Sequence, residues 1–75
     1  MSNPIRYDRH ARRRMRWRGI SETEVEDTVA DPDRVEPSIR GRTNAFRQIG
    51  DRQIRVTFVE TENGILIITV VDRTD

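Results

Sequence analysis

The chain places its apolar residues first at helical spacing and then at strand spacing. Tyr7, Ala11 and Met15 recur every four residues, which puts them on one helical face. No Gly or Pro interrupts 7–18, and Arg, Ala and Met are good helix formers. The pattern predicts a first helix over 7–18, with Gly19 as the left-handed residue that ends it. Ser21 and Glu24 then have the spacing of a capping box, and Ile20 and Val25 that of a hydrophobic staple. Glu22 and Glu24 fall where a helix dipole favours negative charge. A second, short helix is predicted over 22–30, burying Val25 and Val29 and stopped by Asp31-Pro32. Residues 34–42 read as an extended connection with a turn. From there the period changes to two. Strands are predicted over 44–49, 53–60 and 65–72, joined by a Gly50-Asp51-Arg52 turn and an Asn63-Gly64 hairpin. The last, Ile-Leu-Ile-Ile-Thr-Val-Val, is nearly all apolar and is expected to be buried on both faces. The expected fold is one α+β domain: two N-terminal helices on a three-stranded antiparallel meander. Ile5-Arg6-Tyr7 is a candidate for a short extra N-terminal strand.

Composition narrows the setting. At 75 residues there is room for one small core. Leu, Ile, Val and Phe make up 24% of the chain, just above the range that reads as disordered. Ten of these 18 residues lie between Ile54 and Val71, so the core is concentrated in the strands. With no Cys, no disulfide framework is available. A single His and no Cys leave no ligand set for structural zinc. No phosphate-loop or catalytic-triad pattern is present, and Ser21 is explained by capping. No cofactor or metal is expected. No apolar run approaches the ~18 residues of a membrane span, and Met1-Ser2-Asn3-Pro4 opens no signal-like stretch. The expectation is a cytoplasmic protein away from the membrane.

Charge adds a pattern that the total conceals. The net charge is +1. Residues 1–18 nevertheless carry +6 and residues 19–39 carry −6. All 14 basic residues are Arg. A local basic block can bind polyanions even where the net charge is near zero.

The string His10-Ala11-x-x-Arg14-Met15-x-x-Arg18-Gly19-Ile20-Ser21-x-x-Glu24-Val25, followed by Asp31-Pro32-Asp33 and strands ending Ile-Ile-Thr-Val, resembles a family of small prokaryotic proteins of unknown function. That family sits beside the RelE/ParE toxin superfamily, and the resemblance covers most of residues 5–73. It implies a RelE-like fold, with two helices on one face of an antiparallel sheet. It also implies metal-independent cleavage of messenger RNA, often on the ribosome, with neutralisation by an antitoxin protein. A ParE-like action on gyrase is the weaker implication.

Under that resemblance, His10 is the candidate acid or base, because only His titrates near neutral pH unperturbed. Its structural alternative is a hydrogen bond to a loop carbonyl or an acid, fixing the first helix. Arg47 and Arg55 are expected on one sheet face, where their forks would hold the scissile phosphate. Their alternative is cross-strand pairing with Glu60, Glu62 or Asp72. Arg12, Arg13, Arg16 and Trp17, with Arg73 at the end of the last strand, are candidates for RNA binding: Arg on phosphates, Trp on a base. Arg14 and Arg18 are expected to be neutralised by Glu22, Glu24 or Asp27. Thr69 is expected to bond His10 or Arg47. The rival function is a non-enzymatic module whose sheet edge or basic helix binds another protein, or a second copy in a homodimer.

Overall fold

The first helix starts one residue after Asp8, and Tyr7 belongs to a strand. Asp8 is the better N-cap because its carboxylate accepts from the His10 backbone N–H at 2.9 Å. Tyr7 instead pairs with Ile67 in a short parallel strand. The computed structural model describes residues 4–72. The elements are β1 (Ile5–Tyr7), α1 (Arg9–Arg18), α2 (Glu22–Ala30), β2 (Arg34–Pro37), a 3-10 turn (Ile39–Gly41), β3 (Thr43–Ile49), β4 (Arg52–Thr61) and β5 (Gly64–Asp72).

The fold is α+β, but the sheet is not a three-stranded meander. It is a five-stranded mixed sheet in the order β1-β5-β4-β3-β2. The expected meander forms its centre. The N-terminal segment adds β1 parallel to β5, and the expected connection over 34–42 instead begins with β2, antiparallel to β3. The β2 residues are all exposed and carry no apolar alternation, so backbone pairing to β3, rather than burial, fixes that strand.

Both helices cover the same face. Ala11 and Met15 of α1, Ile20, and Val25 of α2 pack on Ala45, Ile54, Val56, Phe58, Ile67 and Val70. The second buried position of α2 is Thr28 rather than Val29, which lies at the core's margin. Thr28 tolerates burial because its hydroxyl donates to the Glu24 carbonyl at 2.8 Å. β5 is not buried on both faces either. Phe58 pairs with Ile67 and Thr57 with Thr69, so Ile68 is an extra, bulged residue. The bulge lets Ile67 and Val70, three apart, both turn inward with no exposed surface. Thr69, opposite Thr57, turns outward, away from the helices. That placement separates it from His10 and Arg47, the partners expected for it.

Arg52 pins the corner between the helices. Its guanidinium donates to the carbonyls of Arg18 and Gly19 at 3.0 and 3.4 Å and to Glu24 at 2.7 Å, and lies 3.8 Å from Asp72. The predicted capping box is present: Ser21 N–H donates to Glu24, and Glu24 N–H donates to the Ser21 hydroxyl. The backbone bond from Ser21, then Arg52, holds the Glu24 carboxyl below its usual range. A carboxyl whose folded pKa is depressed gives stability that is complete above the unfolded pKa. That stability is lost as pH falls through the folded value. Gln at this position keeps the capping acceptor and removes the charge. Glu24→Gln is therefore expected to cost roughly 1 kcal/mol at neutral pH, measured by urea denaturation. The gap to wild type should narrow as pH falls below the ordinary Glu range and close only below the depressed folded pKa, where Glu24 is protonated in both states. A gap independent of pH would contradict this account.

Candidate nucleic-acid interface

Arg9, Arg12, Arg13, Arg16 and Trp17 are spaced three and four apart along α1, so they form one ridge of the helix. Ala11 and Met15 anchor the opposite side in the core, which fixes the ridge toward solvent. The five side chains line one open depression of about 470 Å³. Trp17 is 77% exposed, which is unusual for the largest apolar side chain in a chain with so few. Arg9, Arg13 and Arg16 make no hydrogen bond or ion pair among the described residues. Arg12 is held in place: it meets Glu22 at 2.8 Å and lies 4.6 Å above the Tyr7 ring. The Tyr7 hydroxyl in turn donates to Glu26. Burial, followed by the Glu26 charge, drives its pKa well up, so it stays a neutral donor.

The intramolecular neutralisation falls on other residues than expected. Arg12 and Arg52, not Arg14 and Arg18, pair with the acids of α2. Arg14 and Arg18 make no ion pair among the described residues. The exposed end of α1 beyond Arg12 thus keeps its positive charge.

The structure brings Arg12, Arg13, Arg16 and Trp17 together and adds Arg9. Its position could have been found in the sequence, because Arg9 stands four residues before Arg13 and seven before Arg16. Arg73 lies outside the described residues. His10 is exposed on α1, and its ring makes no hydrogen bond among the described residues. It stands three residues before Arg13 and seven before Trp17, at the edge of the ridge above Trp17, but outside the depression.

Arg47 and Arg55 do not share a face. Arg47 pairs with Ile54, which is in the core, whereas Arg55 pairs with Phe46. Arg47 therefore points toward the helices, where it donates to the Asp31 carbonyl and carboxylate at 2.5 and 3.2 Å. A cation there closes the C-terminal end of α2. Arg55 points to the other side of the sheet. It lies beside Phe46, whose ring is covered by Arg34 at 4.2 Å. The Arg55 Nε is buried without a partner.

Among the described residues there is no cluster of three or more acids or His that would hold a metal ion. No helix of the described residues is long and apolar enough to cross a membrane. No curated protein and no solved structure matches the chain. One family model does, that of the Domain of unknown function (DUF4258), over residues 7–72, from the last residue of β1 to the end of β5. The chain belongs to the DUF4258 family.

Proposed function

We propose that this domain binds single-stranded RNA through the exposed ridge of α1. One observation carries the reading: four Arg and a solvent-facing Trp line a single open depression with no apolar cover. Guanidinium groups at this spacing suit successive phosphates. An exposed indole gives an unpaired base a stacking surface that a duplex does not offer. The resemblance to the RelE/ParE superfamily favours RNA over DNA as the natural ligand.

That resemblance also raises RNA cleavage, with the chain as the toxin of a pair neutralised by an antitoxin. Cleavage by His10, Arg47 and Arg55 together finds no support in their placement. Arg47 is engaged at the end of α2, Arg55 is on the far side of the sheet, and His10 is on the outer surface of α1. Binding without cleavage is therefore the reading adopted. A ParE-like action on gyrase has no feature in its favour.

Trp17 is the only Trp in the chain, so its fluorescence reports on the site directly. Titration with a short unstructured oligoribonucleotide should quench it, and the same RNA annealed to its complement should quench it far less. Trp17→Ala, followed by anisotropy of labelled RNA, should weaken binding roughly tenfold, since base–aromatic stacking contributes ~1–3 kcal/mol. Equal affinity for single strand and duplex, or no quenching, would remove the proposal. RNA shortened during the titration, and intact with His10→Ala, would restore the cleavage reading.

A further inference from the structure

We propose that the helix-free face of the sheet docks an acidic amphipathic helix of a protein partner. α1 and α2 both pack on the other face, so no element among the described residues covers this one. The register identifies what lies on it. Val59 pairs with Leu66, Arg55 with Val71, Thr57 with Thr69, and Ile68 is bulged outward beside Thr69. Val59, Leu66, Ile68 and Val71 are each partly exposed and none belongs to the core cluster. Val59 and Leu66 lie side by side with Ile68 next to them, and Val71 lies beyond the Thr57–Thr69 pair, so half-exposed aliphatic groups line this face of β4 and β5, of the kind that marks an interaction site.

Charge selects the occupant. Arg55 lies in β4, the middle strand of five, and its Nε is buried without an acceptor. The rest of the Arg55 side chain is half-exposed and makes no ion pair among the described residues, so a carboxylate brought to this face can meet its guanidinium with a charge-assisted bond. Arg6, paired with Leu66 at the β1 edge, adds a second positive group on the same face. At the opposite edge Arg34 and Glu36 already satisfy each other at 3.3 Å. The unmet charge of the face is therefore positive, and its unmet contacts are apolar. A helix with one aliphatic stripe flanked by Asp or Glu answers both.

A second copy of this chain answers them poorly. A two-fold dimer built on this face would set the central Arg55 of each copy near the symmetry axis, with like charges desolvated together. Nucleic acid would meet Arg55 but not the aliphatic surface around it. The size is sufficient. With strands ~4.8 Å apart and rising ~3.3 Å per residue, the face spans roughly 500 Å². A helix of about 15 residues is long enough to cross it. Cover of that extent buries on the order of 1,000 Å² over both partners, at the small end of specific interfaces.

The test uses two synthetic helical peptides with the same leucine stripe, one flanked by Glu and the other with Lys in place of every Glu. Binding is followed by backbone amide NMR on the whole chain, in enough salt to suppress binding at the α1 ridge. The Glu peptide should shift the amides of Val59, Leu66, Ile68 and Val71, and the Lys peptide should bind at least tenfold more weakly. Arg55→Glu should reverse that order of preference. Should Arg55→Glu fail to fold, Ile68→Asp replaces it and must abolish binding of the Glu peptide with the circular dichroism spectrum unchanged. Equal affinity for the two peptides would overturn the proposal. So would shifts confined to α1 and α2, no binding of either peptide, or a homodimer by light scattering that Ile68→Asp breaks. None of these outcomes bears on RNA binding, which is read at Trp17.

Discussion

Gly64→Ala is expected to destabilise the fold by roughly 3 kcal/mol, enough to leave a domain of this size partly unfolded at room temperature. Two costs act at this position. The backbone has φ 128°, a region that residues with a Cβ rarely adopt. A Cβ there would also fall well inside contact distance of the Pro4 carbonyl oxygen. That oxygen cannot retreat without loss, because it accepts from the Ile65 N–H at 2.9 Å, the bond that starts the pairing of β1 with β5. The damage would spread to the basic ridge. β1 delivers the chain to Asp8, whose N–H donates to the Ile67 carbonyl, and it carries Tyr7, which seats Arg12 and meets Glu26. Gly19 supplies the control. Its φ is 66° and no atom lies within 4 Å of a Cβ built on it. Gly19→Ala should therefore cost only about 1 kcal/mol, the strain of a left-handed residue alone. Urea midpoints of the two variants give the comparison. Equal losses would show that the contact with Pro4 is not the cause.

A hairpin near Asn63-Gly64 is legible in the sequence alone, although its two turn residues are Glu62 and Asn63 and Gly64 already pairs with Thr61; the Ser21/Glu24 capping box and the left-handed Gly19 are legible as they stand. Each is a local device, with its partners within a few residues. What the sequence hides depends on distant partners or on a count of one. β2 has no apolar alternation and exists because β3 offers it hydrogen bonds. Arg47 and Arg55 show how small the deciding quantity can be. A three-residue turn over 50–52 would pair Arg47 with Arg55 on one face. The actual turn has two residues, with Ile49 opposite Arg52. One residue of register sends the two guanidinium groups to opposite faces, and the expected phosphate clamp is lost with it. The bulge at Ile68 acts in the same way. It turns an apparently two-sided buried strand into one core face and one exposed aliphatic face. The helix ridge escapes such ambiguity because helical spacing needs no partner strand, so Arg12, Arg13, Arg16 and Trp17 can be grouped from the sequence.

The double variant Arg13→Glu/Arg16→Glu is expected to lower the affinity for single-stranded RNA by roughly 100-fold at moderate salt. The size follows from counterion release. Each phosphate neutralised on a single strand contributes about 0.7 to the slope of log K against log salt. Near 0.1 M salt that makes each contact a factor of about five. Losing two contacts gives roughly 25-fold, and two carboxylates set against phosphates add the rest. Anisotropy titrations over a range of salt would also show a change of slope. Wild type should give roughly −2 for Arg9, Arg13 and Arg16, since Arg12 is engaged by Glu22, and the variant about a third of that. The fold should be untouched, because both side chains are exposed and neither makes a hydrogen bond or ion pair among the described residues. Arg47→Gln separates the ridge from charge in general. It removes one positive group from the chain, but from a side chain bound to Asp31 beneath the helices. It should lower the urea midpoint and leave the salt slope where it was. If Arg47→Gln weakens RNA binding as much as the double variant does, the affinity reflects charge spread over the whole molecule. The ridge of α1 would then have no special claim to it.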